Sequence, residues 1–193
     1  MTELLVDRVE SGIGTLLLVC DGARLCALGF GDDDYETLRG IRARYRDATF
    51  RAADDPAEIA SRMRAYFAGE YAALDTIAVE TGGTLFQREV WAALREIPPG
   101  TTLSYGAFAR RIGRPAATRA VGLANGLNPI AVVVPCHRLI GADASLTGYG
   151  GGLHRKRWLL EHEGVRVGSG MKVEFAGRRM LPGADQLAQA GLT

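Results

Sequence analysis

The chain begins with short apolar runs broken by Gly and Asp-Gly, as in "LLVDRVESGIGTLLLVCDGARLCALGF". Runs of this length between turn residues are typical of strands joined by tight turns. We expect a β-meander of two or three strands here. Two helical patterns follow, "DDYETLRGIRARY" and "PAEIASRMRAYFAGE", the second with Asp55 as its N-cap and Pro56 in its first turn.

Helical patterns dominate from residue 84 onward. The segment "TLFQREVWAALREI" ends before two prolines, and "SYGAFARRIG" begins with Ser104 as a cap and ends at Gly113. A further helix, "PAATRAVGLANG", begins at Pro115. The last two helices, joined by "IGR", predict a helix-turn-helix, although short helix pairs also occur in ordinary helical cores.

The change of pattern at "TGG", residues 81–83, predicts a boundary between two domains. We expect an α/β (α+β) fold, with an N-terminal domain of antiparallel sheet and helices over residues 1–80. A helical domain over residues 84–166 would carry the helix-turn-helix in a winged-helix-like arrangement. Residues 167–193 are polar and Gly-rich, and we assign that tail no role.

The segment "IAVVVPCHR" places three reactive side chains after an apolar run. The run predicts a buried strand ending at Pro135, because proline removes a backbone donor. Cys136 is then either a structural core residue or a nucleophile. His137 and Arg138 favour the nucleophile, because positive groups stabilise a thiolate. Adjacent side chains of an extended chain point apart, so His137 reaches Cys136 only through a chain turn or a water.

Glu163 and Arg119 are unusual for their surroundings. Glu163 ends the helical segment "HRKRWLLEHEG" just before Gly164, where a carboxylate opposes the helix dipole. It is either a solvated surface residue or the group that holds a His acting on a Cys. Arg119 is a long cation among the small side chains of "PAATRAVG", which suits a helix close to DNA or one packed on a neighbour.

Charge is distributed unevenly, although the net charge is only +1. Residues 1–80 contain nine arginines and fifteen acidic residues, whereas residues 104–166 contain nine basic and three acidic residues. The basic second half predicts a polyanionic partner such as nucleic acid, unless the two halves merely balance each other.

The beginning of the chain and the cysteines indicate a compartment. "MTELLVDRVE" lacks a basic signal region, and "GTLLLVC" is far shorter than the ~20 apolar residues that span a bilayer. We expect a cytoplasmic protein with no membrane partner. Cys20, Cys26 and Cys136 have no CxxC-type spacing, so neither a disulfide framework nor a zinc site is predicted.

Three stretches, "RAVGLANG", "NPIAVVVPCHRLIG" and "TGYGGGLHRKRWLLEHEG", resemble the O6-alkylguanine-DNA alkyltransferases, also called methylated-DNA-protein-cysteine methyltransferases. The "PCHR" motif is highly specific, and the match extends without a gap from near Phe86 to Glu163. The N-terminal region resembles the family's smaller α/β domain more loosely. The resemblance implies single-turnover transfer of a methyl or larger alkyl group from O6 of guanine in double-stranded DNA, after nucleotide flipping. Alkyl transfer from O4 of thymine is a further candidate activity. The resemblance implies no metal or cofactor, and we expect the protein to be a monomer.

The resemblance implies catalytic roles at five positions. Cys136 matches the alkyl acceptor, His137 the residue that draws its proton through a water, and Glu163 the carboxylate that orients the histidine. Asn128 matches the asparagine that fixes the turn joining the recognition helix to the active site. Tyr105 matches the tyrosine that helps rotate the nucleotide and donates toward guanine N3.

Other positions are assigned to binding. Arg119 matches the finger inserted into the duplex, and the DNA surface also includes Ala116, Ala120 and Arg138. The base pocket is assigned to Leu139 (through its backbone), Tyr149, Gly150 and Lys156.

Two positions depart from the family pattern. Gly150 stands where other members have serine, with little effect because that position is expected to act through its backbone N–H. Asn125 replaces a larger apolar residue against the guanine face, so weaker base stacking is expected. Zinc ligands that some members carry in the N-terminal domain are not evident.

Three other classes are weighed against this one. A Cys-His hydrolase would use the same dyad, but it needs an acyl-substrate groove and an oxyanion hole and would turn over. A DNA-binding module without chemistry would lack the nucleophile, whereas Cys136 is present. A transcriptional regulator would need a regulatory domain with metal-site cysteines, which this sequence does not contain.

Overall fold

The structure, a computed structural model, describes residues 2–32 and 34–175. It divides into two compact units. The first combines the residues up to Thr84 with the segment Asn128–Val134, and the second combines Leu85–Leu127 with the chain from Pro135 onward. The chain therefore leaves the second unit for seven residues and returns to it at Pro135. The domain limits predicted from the sequence remain predictions.

The first unit contains a four-stranded sheet. Its strands are β1 (Thr2–Val9), β2 (Leu16–Cys20), β3 (Leu25–Phe30) and β4 (Ala48–Ala52), in the spatial order β3-β2-β1-β4. Strands β1, β2 and β3 pair antiparallel, which confirms the predicted meander. Strand β4 instead pairs parallel to β1, so the sheet is mixed rather than wholly antiparallel. Helix α1 (Asp34–Arg44) connects β3 to β4 as a crossover. Strand β4 can therefore run in the same direction as β3, which is also the direction of β1.

The core of this unit lies between the sheet and α1. It is a cluster of buried side chains: Leu4, Leu17, Val19, Cys26, Ala27 and Ile41. Helix α2 (Ile59–Phe67) follows a 3-10 turn at Pro56–Glu58. Asp55 precedes that turn, and its carboxylate accepts a hydrogen bond at 2.9 Å from the backbone N–H of Ser61. The α-helix therefore begins three residues later than the sequence predicts, with Glu58 rather than Asp55 at its N-cap, although the Asp55 carboxylate still accepts a hydrogen bond from its first turn.

Over its described residues, the second unit contains four α-helices, α3 (Leu85–Arg95), α4 (Tyr105–Arg111), α5 (Thr118–Gly126) and α6 (Leu153–His162). Two short strands, β5 (Leu103–Ser104) and β6 (Leu139–Ile140), pair parallel. The Oγ of Ser104 accepts a hydrogen bond from the N–H of Ala107 at 3.1 Å, and Gly113 has a φ of 70° after α4, as the sequence predicts. A 3-10 turn at Pro115–Ala117 leads into α5, so α4 and α5 form the predicted helix-turn-helix.

The apolar run before Pro135 is not the buried strand that the sequence predicts. Residues 131–133 form a turn and Val134 lies in a bend, and Val132 has a φ of 70°. The Asn128 side chain holds this path: its Nδ2 donates to the carbonyl of Val134 at 2.8 Å, and its Oδ1 accepts from the N–H of Ile130 at 3.0 Å. Apolar composition correctly indicated burial, but side-chain hydrogen bonds to the backbone determine the conformation.

The predicted tail begins inside a packed region. Val167 and Val173 are buried in a cluster with Ile140 and Leu160, and they form a bridge with each other. Residues 176–193, the rest of the predicted tail, lie outside the described residues. In the described part of the chain, no helix is long and apolar enough to cross a membrane.

Candidate active site

Cys136 and His137 lie on a single turn of 3-10 helix, Cys136–Arg138. The turn is closed by a hydrogen bond from the N–H of Arg138 to the carbonyl of Pro135 at 3.0 Å. Cys136 is 6% exposed and His137 is fully buried. Since successive side chains of a 3-10 helix are about 120° apart, they need not point to opposite faces as they would on a strand. The chain turn required by the sequence argument is therefore present.

His137 is held by Glu163. The His137 Nε2 lies 3.0 Å from the Glu163 Oε1, and neither side chain is accessible to solvent. Glu163 is the C-cap of α6, and Gly164 follows with a φ of 86°. Because an ionised carboxylate only accepts hydrogen bonds, Nε2 must carry the proton, which leaves a lone pair on Nδ1. Nδ1 is buried and has no hydrogen-bond partner among the described residues.

Arg138 completes the network around this carboxylate. Its Nε donates to Glu163 Oε2 at 2.9 Å and its Nη2 to Oε1 at 2.7 Å, while Nη1 donates to the carbonyl of Ile97. The sequence assigned Arg138 to the DNA surface, but the residue is only 5% exposed and its donors point inward. A buried carboxylate draws the guanidinium into the interior, because an unpaired charge there would be costly.

These contacts keep the histidine neutral and the glutamate charged. Burial lowers the pKa of His137 below its ordinary 6.5, and the cations of Arg138 and Lys156 act in the same direction against the attraction of Glu163. Burial alone would raise the pKa of Glu163, but His137 and Arg138 hold it well below its ordinary value. A neutral imidazole beside an ionised carboxylate can accept a proton.

Lys156 is fully buried beneath the site. Its Nζ donates to the carbonyls of Leu139 at 2.6 Å and Thr147 at 2.7 Å. Burial lowers its pKa to about 8, while the proximity of Cys136 raises it in part. These two hydrogen bonds connect β6 to the loop before α6. The sequence assigned Lys156 to the base pocket, whereas in the structure its Nζ is engaged with these two carbonyls.

Tyr105 is the first residue of α4 and is half-buried. Burial raises the pKa of its hydroxyl, a hydrogen bond with Thr147 lowers it in part, and Cys136 raises it further. The phenol thus keeps its proton at neutral pH and is electrostatically coupled to the cysteine. Its ring approaches α5, where a Cβ added to Gly122 would lie 4.0 Å from the Tyr105 Cδ1.

Asn125 contacts the cysteine directly, which sequence reasoning did not foresee. It lies on α5, is 4% exposed, and its Nδ2 donates to the carbonyl of Cys136 at 3.4 Å. The sequence placed Asn125 only as a weaker stacking residue. A polar side chain on the buried face of a helix was the signal for a specific role.

The residues assigned to DNA on α5 and the turn before it lie on the surface. Ala116, Arg119 and Ala120 are exposed, and Arg119 makes no ion pair within the described part of the chain. By contrast, the neighbouring Arg114 pairs with Glu89 at 3.2 Å. Arg119 therefore projects from a small-residue surface with its charge uncompensated, as a contact to a polyanion requires.

The loop that follows β6 carries two more predicted pocket residues. Tyr149 is half-buried and Gly150 is exposed. A Cβ added to Gly150 would meet nothing within 4 Å. Over the residues that the structure describes, no group of three or more His, Cys, Asp or Glu side chains could hold a metal ion.

A helix-turn-helix in the same unit as a buried Cys-His-Glu arrangement defines a class of DNA-binding protein with a cysteine nucleophile. The family model for the DNA binding domain of 6-O-methylguanine DNA methyltransferase matches residues 85–165. The model for the ribonuclease-like domain of the same enzyme matches residues 5–81. The chain belongs to the methylated-DNA–protein-cysteine methyltransferase family.

Relatives and solved structures agree with this assignment. The methylated-DNA–protein-cysteine methyltransferase of Salmonella typhimurium is 48% identical over 167 residues, which are 85% of this chain and 98% of that protein. The Mycobacterium tuberculosis enzyme is 48% identical over 159 residues, 82% of this chain and 92% of that one. A crystal structure of the M. tuberculosis O6-methylguanine methyltransferase superposes with a TM-score of 0.69, at 44% identity over 84% of this chain and 93% of that one. A structure of the M. tuberculosis protein in complex with DNA also has a TM-score of 0.69, at 42% identity over 83% and 92% of the two chains.

Proposed function

We propose that this protein repairs DNA by direct reversal, taking a methyl or larger alkyl group from O6 of guanine onto the Sγ of Cys136. The observation that carries this proposal is the buried His137–Glu163 contact beside Cys136. The names of the relatives and the structure of a relative with DNA support it.

The first step is removal of the thiol proton. His137 Nδ1 has the free lone pair to take that proton through a bridging water, and Nε2 already donates to Glu163. Glu163 stabilises the imidazolium that forms, and Arg138 keeps Glu163 ionised. The three buried side chains thus act as a unit for making a thiolate.

The second step is displacement at the saturated alkyl carbon. The Cys136 sulfur forms a bond to this carbon while the bond between carbon and O6 breaks, and the electron pair passes to guanine. Tyr105, still protonated at neutral pH, can donate toward N3 of the departing base and neutralise it. The thioether product has no hydrolytic exit, so each molecule reacts once.

Access to the alkyl group requires the nucleotide to leave the helix. Arg119, which is exposed on α5, would enter the duplex in place of that nucleotide, and the exposed Ala116 and Ala120 would let α5 approach the DNA closely. Leu139, Tyr149 and Gly150 would line the pocket that receives the base. The cytoplasm suits a chemistry that needs a reduced thiol, and a monomer would suffice because a single chain supplies every residue of the proposed site.

The test is mass spectrometry of the intact protein after incubation with duplex DNA carrying O6-methylguanine. We expect one methyl group per molecule, mapped to the peptide of Cys136, and no addition in Cys136→Ser. Cys26→Ala, which changes another buried thiol, should react like the wild type. Methylation of the Cys136→Ser variant, or sustained turnover beyond one equivalent, would contradict the proposal.

A further inference from the structure

The amide of Asn125 has one satisfied and one unsatisfied end. Its Nδ2 donates to the carbonyl of Cys136 at 3.4 Å. Its Oδ1 is equally buried but makes no hydrogen bond within the part of the chain that the structure describes. Leaving a buried acceptor without a donor costs free energy, so such an atom calls for a specific explanation.

The orientation of this amide follows from chemistry. The carbonyl of Cys136 is an acceptor only, so the amide must present its NH2 group to that carbonyl. Turning the amide over would bring two oxygens together. Oδ1 therefore points away from the Cys136 carbonyl, although it belongs to the same amide group that contacts this carbonyl.

The position of Asn125 on α5 shows what else lies near. Gly122 is one turn earlier on the same helix face, and its position lies against the Tyr105 ring. Tyr105 in turn is coupled electrostatically to Cys136. One face of α5 therefore lies near both reacting partners of the base. Gly122 on this face lies against Tyr105, the predicted donor to N3, and Asn125 contacts the backbone of Cys136.

The O6-alkylated guanine has one kind of hydrogen-bond donor on the edge that includes N1. Alkylation of O6 removes the proton from N1 of guanine, so on that edge of the base only the exocyclic 2-amino group still donates hydrogen bonds. This group is adjacent to N3, the atom toward which Tyr105 is proposed to donate. A donor entering beside Tyr105 would thus come close to the unsatisfied oxygen.

We infer that Asn125 is a specificity-determining residue whose Oδ1 accepts a hydrogen bond from the exocyclic 2-amino group of the O6-alkylated base. The inference rests on the proposed function. One side chain would then serve two purposes: Nδ2 fixes the carbonyl of the nucleophilic residue, and Oδ1 recognises the base that the nucleophile attacks. Adenine and hypoxanthine derivatives, which lack a 2-amino group, would leave Oδ1 without a donor.

The experiment compares single-turnover rates on two duplexes that differ only in the target base, O6-methylguanine or O6-methylhypoxanthine. The ratio of the two rates measures how much the protein gains from the 2-amino group. In Asn125→Leu, which removes both polar atoms, we expect this ratio to fall about tenfold. In Asn125→Asp, which keeps an oxygen at the Oδ1 position, we expect both rates to fall but the ratio to be retained.

A purely structural role would give a different result. If Asn125→Leu lowers both rates by the same factor, or if Asn125→Asp loses the preference as well, the inference is wrong. Should the leucine variant fail to fold by circular dichroism, Asn125→Ala carries the same prediction. Failure of the wild type to methylate Cys136 at all would overturn the proposed function together with the inference, and intact mass distinguishes that outcome from a changed ratio.

Discussion

His137 and Glu163 meet at 3.0 Å in a region where neither side chain is accessible to solvent. The two residues are 26 positions apart, on a 3-10 turn and at the end of α6, respectively. Their contact determines which ring nitrogen carries the proton, and so which one can act on Cys136. Several measurable properties depend on this contact.

Replacing Glu163 by Gln should slow alkyl transfer while preserving the shape of the site. The amide cannot stabilise the imidazolium as a carboxylate does, and it leaves the Arg138 guanidinium without a counter-charge. We expect the single-turnover rate near pH 7 to fall by about 10- to 100-fold. The deficit should shrink at alkaline pH, since a free cysteine ionises unaided at a pKa of about 8.5. A rate profile from pH 6 to 9.5 measures this, and an equal deficit at every pH would indicate structural damage.

The stability of the protein should fall in mild acid because of His137. Burial lowers the pKa of His137 in the folded state, so the unfolded chain takes up more protons than the folded one as the pH falls below 6.5. This stability is therefore present above pH 6.5 and lost as the pH falls. Glu163, whose pKa is also lowered, adds a similar loss below its ordinary value of 4.5.

Denaturant unfolding at pH 7.5 and pH 5.0 isolates the contribution of His137. The wild type should lose more free energy of unfolding between these pH values than His137→Gln. His154→Gln, a change at an exposed histidine, is the matched control and should behave as the wild type does. Equal losses in the wild type and His137→Gln would mean that other groups cause the acid sensitivity.

The sequence predicted the local elements of the site better than its long-range contacts. Ser104 and Gly113 mark the ends of α4, because capping chemistry acts over a few residues. The partner of Arg138 could not be predicted in the same way, since Glu163 is 25 residues away and only packing brings them together. The role proposed for Cys136 was inferred from the motif that surrounds it, whereas its contact with Asn125 was found only in the structure.

The departure at Gly150 should have little effect on folding or on methyl transfer. A Cβ at Gly150 meets nothing within 4 Å, and its φ is not positive. Gly150→Ser should therefore match the wild type in melting temperature and in methyl-transfer rate.

We also expect free O6-benzylguanine to inactivate the wild type, because "GGG" at residues 150–152 removes side-chain bulk beside the pocket. Resistance to O6-benzylguanine at high concentration would show that the pocket is narrower.

Arg119 provides a test that separates nucleotide flipping from chemistry. If its side chain replaces the flipped nucleotide in the duplex, it stabilises the extrahelical state, whose formation costs a few kcal/mol. Arg119→Ala should then slow repair of duplex DNA by about one to two orders of magnitude, or about 1.4–2.8 kcal/mol. Reaction with the free modified base should hardly change, since no duplex has to open.

The matched control is Arg114→Ala, which removes a neighbouring exposed cation that is already paired with Glu89. It should cause only a small loss of DNA affinity that disappears as salt is raised. Both rates measured on the Arg119→Ala protein decide the role of this residue. Equal losses on duplex and free base would place Arg119 in the chemistry or the fold, and no loss on duplex would exclude its insertion, because a side chain that fills the gap cannot be removed without affecting the flipped state.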